Sequence, residues 1–124
     1  MTAALFATTP ARAADPPLFS QAQLDQMLAS IALFPDPLLA QVLMAATYPS
    51  DVALAADWAY RNRHLKGDEA VKAVQDQPWD PSVKSLVAFP QALAMLGEKP
   101  SWVQDLGDAF LAQPEAVMDS VQYL

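Results

Sequence analysis

Residues 36–46 read DPLLAQVLMAA, and this stretch decides the fold that the sequence predicts. Asp36 followed by Pro37 is typical of a helix start, with the carboxylate as N-cap and the proline at the first helical position. The residues from Leu38 to Ala46 are apolar except for Gln41. A helix that is apolar nearly all round is a buried one, so we expect this helix to form the centre of the core. Its predicted structural residues are Asp36, Pro37, Leu39, Val42 and Leu43.

Upstream of this stretch, the sequence predicts one amphipathic helix that starts at Ser20. A serine oxygen accepts a hydrogen bond from a free backbone N–H at a helix start, so Ser20 is the expected N-cap. The helix is expected to end near Leu33, because Pro35 disfavours the helical conformation of the residue before it. Its apolar residues follow the i, i+3, i+4, i+7 spacing of a single buried face: Leu24, Met27, Leu28 and Ile31.

Downstream, an aromatic residue followed by proline marks the end of the central helix. Tyr48-Pro49 ends it, because proline cannot continue a helix. Ser50 and Ser101, which each follow a proline, are the expected N-caps of later helices. Gly67 suits the left-handed conformation that closes a helix, and Asp68 is the expected N-cap after it. The pattern therefore predicts short helices separated by tight turns.

The second half of the chain repeats these signals at different intervals. Asp80-Pro81 resembles the Asp36-Pro37 start, Phe89-Pro90 resembles the Tyr48-Pro49 stop, and Pro114 opens a last helix. No stretch shows strand alternation of useful length. The sequence therefore predicts an all-α fold, a compact bundle of six to eight short helices with Asp-Pro starts and aromatic-Pro stops. Further residues expected to have structural roles are Tyr48, Pro49, Asp80, Pro81, Phe89, Pro90, Leu106 and Phe110.

Charge and composition exclude several classes of function. The 124 residues include 14 acidic and seven basic side chains, for a net charge of −7. A protein that binds nucleic acid must meet phosphates with Lys and Arg, so we expect no nucleic-acid partner. The chain has no cysteine and one histidine, which leaves the usual zinc sets incomplete. We therefore expect no metal site and no cofactor, and we interpret His64, near a helix end, as a surface residue.

The first residues predict export from the cytoplasm. The apolar run Ala3–Ala7 precedes Ala11-Arg12-Ala13, whose small outer residues suit signal peptidase. We expect residues 1–13 to be the remnant of a longer signal peptide that is cleaved near Ala13. The true start codon is then expected to lie upstream of Met1. Residues 14–19 are then a disordered mature N-terminus, and residues 20–124 a single helical domain in the periplasm or cell envelope. The alternative is a cytosolic protein with a disordered leader.

No segment of the mature chain is expected to cross a membrane. A spanning helix needs about 18 or more consecutive apolar residues. The longest apolar candidate, Leu38–Ala46, is far shorter and contains Gln41.

Asp105 and Asp108 are the candidate catalytic residues. They lie three positions apart, so a helix places them on similar faces, flanked by Trp102 and Phe110. In a glycan-cleaving enzyme, one carboxyl group of such a pair acts as the general acid and the other as the base. The alternative is a solvated helix face, because this spacing recurs by chance in any acidic helix.

Three tryptophans, Trp58, Trp79 and Trp102, are the candidate binding residues. Aromatic rings suit a groove that takes a sugar or a peptide, and three further aromatics precede prolines: Phe34, Tyr48 and Phe89. The alternative is that these rings pack in the core or at helix ends, as large aromatics more often do.

The residues from Leu24 to Pro49 also carry a family resemblance. The stretches 24–29 and 31–49 closely resemble the opening signature of the bacterial domain-of-unknown-function family numbered 3300. The likeness covers Leu18 to Leu124 and includes three further matches: Trp79–Lys84, Ala88–Pro90 and Trp102–Phe110. The resemblance implies an exported envelope protein of Gram-negative bacteria, and it implies no activity. Family members usually continue past this region, so we expect a chain that stops at Leu124 to be a fragment or a short variant.

Together these observations favour a protein-binding or assembly module of the bacterial envelope. The expected partner is another envelope protein or the chain's own missing C-terminal region. The competing hypothesis is an enzyme that acts on envelope glycan through Asp105 and Asp108. A third is a non-functional remnant, which cooperative unfolding of the isolated chain would contradict.

Overall fold

Prolines and a few polar caps divide the chain into short helices. The computed structural model describes residues 19–123, and within them lie eight helices and no strand. The all-α bundle of six to eight short helices that the sequence predicts is confirmed. The predicted signal-peptide remnant, 1–13, and most of the segment 14–19 lie outside the described residues. The helices are α1 (Gln21–Leu28), α2 (Asp36–Ala46), α3 (Pro49–Arg61), α4 (Gly67–Ala73), α5 (Pro81–Leu86), α6 (Pro90–Glu98), α7 (Pro100–Ala112) and α8 (Pro114–Tyr123).

The helix predicted to be central, α2, buries one face against three other helices. It contacts α5 and α7 most extensively and also touches α3. Its outer face is open, since Met44 is 49% exposed and the exposed Gln41 side chain accepts a hydrogen bond from Ser85. The prediction that α2 is buried nearly all round is therefore correct for one face of the helix and wrong for the opposite face. The buried face consists of Leu39, Val42, Leu43, Ala45 and Ala46.

Asp36 does not cap α2, so this part of the prediction is wrong. The helix begins at Asp36 itself, its N-cap is Pro35, and no side chain makes a cap hydrogen bond. The backbone N–H of Leu39 donates to the carbonyl oxygen of Pro35 at 2.9 Å, which closes the first turn one residue earlier than expected. Pro37 still fits in this turn, because the first N–H groups of a helix have no intrahelical partner.

Two predicted caps are confirmed. Ser20 and Gln23 form a reciprocal capping box: the backbone N–H of Gln23 donates to Ser20 Oγ at 3.2 Å, and that of Ser20 donates to Gln23 Oε1 at 2.8 Å. Asp80 caps α5, because its Oδ2 accepts from the backbone N–H of Ser82 at 3.0 Å. Such caps satisfy N–H groups that the helix itself leaves free.

Helix α1 is shorter than predicted, since it ends at Leu28 and not near Leu33. Two turns continue the chain, with the N–H of Ile31 donating to the carbonyl of Leu28 and that of Phe34 to the carbonyl of Ile31. Ile31 is fully buried, as its spacing predicts. The buried face therefore extends past the last helical residue.

Ser50, Ser101 and Asp68 are not caps, contrary to prediction. Helices α3 and α7 each begin at the proline before the serine, whose fixed φ suits the first helical position. Helix α4 begins at Gly67, with Lys66 as its N-cap. The φ of Gly67 is +57°, the left-handed conformation predicted for this residue. The prolines of this chain thus begin helices as well as ending the preceding ones.

Two glycines allow helices to approach closely. A Cβ added at Gly107 of α7 would overlap the backbone carbonyl of Ala46, at the end of α2. A Cβ added at Gly97 of α6 would lie 2.6 Å from Cβ of Ala56 on α3. The packing of α7 on α2 and of α6 on α3 therefore depends on the absence of a side chain at these two positions.

Within residues 19–123, each helix taken alone falls short of the length and apolar composition of a membrane span. Helices α2 and α3 reach it only as a pair, and the pair is bent by 116° at the break between them.

Candidate functional site

Two open hollows on the surface meet at Met95 of α6, and we call them together the Met95 groove. The first, of about 390 Å³, lies between α1 and the junction of α6 and α7. The second, of about 500 Å³, lies at the N-terminal end of α6. Both volumes fall in the usual range of ligand sites. Residues that line the first hollow include Phe19, Met27, Ser30, Lys99, Trp102 and Asp105, and those of the second include Phe34, Leu38, Lys66, Phe89, Pro90 and Ala92.

Hydrogen bonds from α7 and from the residue that follows it hold the α1 wall of the first hollow. Trp102 donates from Nε1 to the carbonyl oxygen of Met27 at 2.8 Å. The Gln113 side chain clamps the backbone of Phe19, accepting from its N–H at 2.9 Å and donating to its carbonyl at 3.0 Å. Helix α1 also packs along α8. The wall is therefore positioned by residues far away in the sequence.

A side-chain hydrogen bond joins α1 to α8 behind this wall. The hydroxyl of Ser120, which is fully buried, donates to the Asp25 carboxylate. Gln21 donates to the same carboxylate from Nε2 at 2.9 Å. The bond from Ser120, and after it the bond from Gln21, lowers the pKa of Asp25 below its usual value, because both stabilise the ionised carboxylate. The connection between α1 and α8 is accordingly strongest when Asp25 is charged.

The Met95 groove combines apolar surface with positive charge. Phe89 is 47% exposed, and Met27 and Met95 are half-buried, with flexible side chains that can adapt to a bound surface. Two exposed lysines and one aspartate line the groove, in a chain whose net charge is −7. Among the residues that the structure describes, the ion pair found is the one between Arg61 and Asp57. Neither Lys66 nor Lys99 is therefore ion-paired. The arrangement can bind apolar side chains and meet a carboxylate beside them.

The structure places only one of the two candidate catalytic residues in the Met95 groove. Asp105 and Asp108 are both exposed on α7. Asp105 lines the first hollow, whereas Asp108 lies outside both hollows of the groove. The pair therefore does not share either hollow of the groove, and the placement of these residues lends the enzyme hypothesis no support.

The three tryptophans lie in different surroundings. Trp102 lines the first hollow of the Met95 groove. Trp79 is 7% exposed and belongs to the core, and Trp58 on α3 is half-buried and packs against that core. The lining of the Met95 groove therefore includes one of the three tryptophans, together with Phe34 and Phe89, two of the aromatics that precede prolines.

A polar cluster at the start of α5 joins this helix to α3. Asp80 accepts from the backbone N–H and the hydroxyl of Ser82, and its own N–H donates to Asp51 Oδ2 at 3.2 Å. The side-chain and backbone bonds from Ser82 lower the pKa of Asp80. The negative charge of Asp80, and then a hydrogen bond to it, raises the pKa of Tyr48. These groups satisfy one another, so we interpret the cluster as a capping network.

No group of three or more His, Asp or Glu side chains within residues 19–123 has the arrangement of a metal site. His64 is exposed in the turn after α3, as the sequence predicts.

Sequence reasoning missed several residues of the groove. Lys66 and Lys99 carried no signal beyond their charge, and Met27 was assigned to the buried face of α1. Phe89, which the sequence offers both as a structural residue and as a groove aromatic, lines the groove and is also the N-cap residue of α6. These residues come from separate turns and helices, so no local pattern brings them together.

The chain matches one protein-family model and is similar to a known protein of Escherichia coli. Residues 20–124 match the protein family described as "Protein of unknown function (DUF3300)". The chain is also 59% identical over 125 aligned residues to "Uncharacterized protein YacH" of Escherichia coli (strain K12). This alignment covers 94% of the chain and 20% of the relative, so the chain spans about a fifth of the relative's length. No solved structure matches the chain. The resemblance predicted from Leu24 to Pro49 is confirmed.

Proposed function

The chain belongs to the DUF3300 family, and we propose that its helical domain is a protein-binding module of the bacterial envelope. The Met95 groove is its binding surface, and a segment of another protein is its ligand. The observation that carries the proposal is the presence of two open hollows, lined by aromatic and methionine side chains, that meet on one helix.

Protein interfaces are enriched in two of the residue types that line this groove, aromatic residues and methionine. Aromatic side chains, methionine and arginine are over-represented at the centre of interfaces, where an aromatic residue often serves as the anchor. The second hollow presents Phe89 to solvent, and Leu33, which precedes the groove residue Phe34, is 89% exposed. A partner that covers these side chains removes apolar surface from water, which favours association.

Photocrosslinking in intact cells of the native host tests the proposal. Gln26 lies in the first hollow and Gln91 in the second, and both are exposed. Replacing either glutamine by a photoreactive phenylalanine derivative should give crosslinks to one and the same protein, identified by mass spectrometry. Gln75 and Gln122 are exposed glutamines outside the groove, so the same replacement there is the matched control.

The purified partner should then bind the domain directly. Phe89→Ser should weaken this binding, because it removes an exposed aromatic ring from the second hollow and leaves the core intact. Crosslinks that form equally at the control positions, or binding that is indifferent to Phe89→Ser, would contradict the proposal.

Location in the envelope is a separate part of the proposal. It is supported by the small residues of Ala11-Arg12-Ala13, which suit signal peptidase. Mass spectrometry of the protein in a periplasmic extract should find a mature N-terminus near Ala14. Recovery of residues 1–13 still attached, in the cytosolic fraction, would show that the protein is not exported in this way.

A further inference from the structure

We infer that the segment which binds the Met95 groove is acidic as well as apolar, with carboxylates that pair with Lys66 and Lys99. This inference rests on the proposed function and specifies the chemistry of the partner. Lys66 belongs to the second hollow and Lys99 to the first, so each hollow has one ammonium group in its lining, and the first also has the carboxylate of Asp105.

These two lysines are available for a partner. Both are exposed, and within residues 19–123 neither takes part in an ion pair. Three other cations are engaged inside the chain: Arg61 with Asp57, Arg63 with the ring and carbonyl of Tyr60, and Lys84 with the carbonyl of Gln75. The lining of the groove therefore has two ammonium groups against one carboxylate, that of Asp105, which is a small positive excess in a strongly acidic chain.

The length of α6 sets the spacing of the two hollows. Pro90, Gln91 and Ala92, at the start of the helix, line the second hollow, and Lys99, just past its end, lines the first. Nine helical residues span about 13 Å, at about 1.5 Å each. A partner helix places residues i and i+7 about 10 Å apart on one face, so two such apolar side chains can enter the two hollows. Carboxylates of the partner that neighbour these two apolar side chains would then lie near Lys66 and Lys99.

An anionic lipid surface has some of the same chemistry, because it also combines apolar groups with negative charge. The net charge of −7 disfavours it, since an acidic protein is repelled by a large anionic surface. A short peptide meets only the local charge, because fields are screened beyond about 8 Å at physiological ionic strength. The charge distribution therefore favours an acidic peptide segment over a membrane.

Fluorescence anisotropy with three labelled peptides tests the inference on the purified chain. Each peptide has about 16 residues, long enough to cover α6 as a helix, with leucines at i and i+7. The three differ only in their polar residues, which are glutamate, glutamine or lysine. We expect the acidic peptide to bind most tightly. The double variant Lys66→Gln/Lys99→Gln should bind it about three- to tenfold more weakly, and Lys72→Gln, outside the groove, should leave binding unchanged.

The possible results separate the inference from the proposed function. Equal binding of all three peptides would overturn the acidic specificity and leave a protein-binding groove. Failure of every peptide to bind a folded chain would overturn the proposed function itself. Binding to vesicles of phosphatidylethanolamine and phosphatidylglycerol, at a ratio of about 3:1, without peptide binding would overturn both in favour of a lipid surface.

Discussion

At the scale of the residue, Asp36 and Asp80 begin two helices in different ways although each precedes a proline. Asp80 lies outside α5 and accepts from the backbone N–H of Ser82, whereas Asp36 is already inside α2 and accepts no cap bond. The carboxylate of Asp36 interacts only with the positive end of the helix dipole, which is a weak contribution for an exposed group. The dipeptide thus predicts a helix start to within one residue and leaves the role of the carboxylate open.

Alanine substitutions distinguish these two roles. Asp80→Ala should lower the midpoint of thermal unfolding by several degrees, because the first turn of α5 loses its side-chain acceptor. Asp36→Ala should change it far less. Asp80→Asn is the control, because asparagine is also a good N-cap residue, and its midpoint of thermal unfolding should stay close to that of the natural protein. Equal losses for Asp36→Ala and Asp80→Ala in thermal melts would contradict the two assignments.

The hydrogen bond between Ser120 and Asp25 makes stability depend on pH. The bond lowers the pKa of Asp25 in the folded state, so its contribution is present above the unfolded value, which is about 3.8, and is lost as pH falls through the lowered folded value. Ser120→Ala should therefore destabilise the chain more at neutral pH than it does below about pH 3.8, where the contribution of the ionised Asp25 begins to be lost. Thermal melts of both proteins between these pH values measure this change.

Ser85→Ala is the matched control for this measurement. Ser85 also makes side-chain hydrogen bonds, but to the neutral amide of Gln41 and the carbonyl of Ser82. Ser85→Ala should therefore lower the midpoint of thermal unfolding by a similar amount at every pH. A Ser120→Ala effect that is equally independent of pH would mean that the charge of Asp25 does not strengthen the bond.

At the scale of the helix, close packing of α7 on α2 depends on Gly107. Glycine in a helix interior is costly relative to alanine, by about 1 kcal/mol, so its presence there calls for a reason. The reason is the backbone of Ala46, which leaves no space for a Cβ at this position. Gly107 lies within a stretch that carries the family resemblance, yet its role depends on a neighbouring helix that local periodicity does not identify.

Gly107→Ala should destabilise the chain although alanine is the better helix former. Overlap with a backbone carbonyl forces α7 away from α2, and overpacking of this kind costs about 1–3 kcal/mol. Chemical denaturation measures the free energy of unfolding of the variant. Gly67 is the matched control, because a Cβ added there meets no atom within 4 Å. Alanine at this position is opposed only by the left-handed backbone conformation, which costs about 1–2 kcal/mol. A stabilising Gly107→Ala would show that α2 and α7 are not in close contact.

Helix positions were largely predictable from the sequence, and their first residues less so. Proline has a fixed φ and no N–H, which suits it both to end one helix and to begin the next. Pro49 has both roles, since it follows the end of α2 and is the first residue of α3, and the cap expected at Ser50 follows from the first role alone. The choice between these roles depends on where the preceding backbone turns, and that is set by packing.

At the scale of the whole molecule, the groove is built from distant parts of the chain. Its lining extends from Phe19 to Asp105, and its α1 wall is held by Trp102 and Gln113. The all-α class and the buried face of α2 follow from local patterns of proline and apolar residues. The groove does not, because Met95, Lys66 and Lys99 come together only when the helices pack.

Methionine methyl signals in an NMR titration test the binding role of the groove most directly. Met27 and Met95 lie in the groove, whereas Met44 and Met118 are 49% and 42% exposed outside it. On addition of the acidic peptide, binding in the groove should give saturable shifts of the Met27 and Met95 signals and leave the signals from Met44 and Met118 unchanged. Shifts of Met44 or Met118 with unmoved Met27 and Met95 would contradict it.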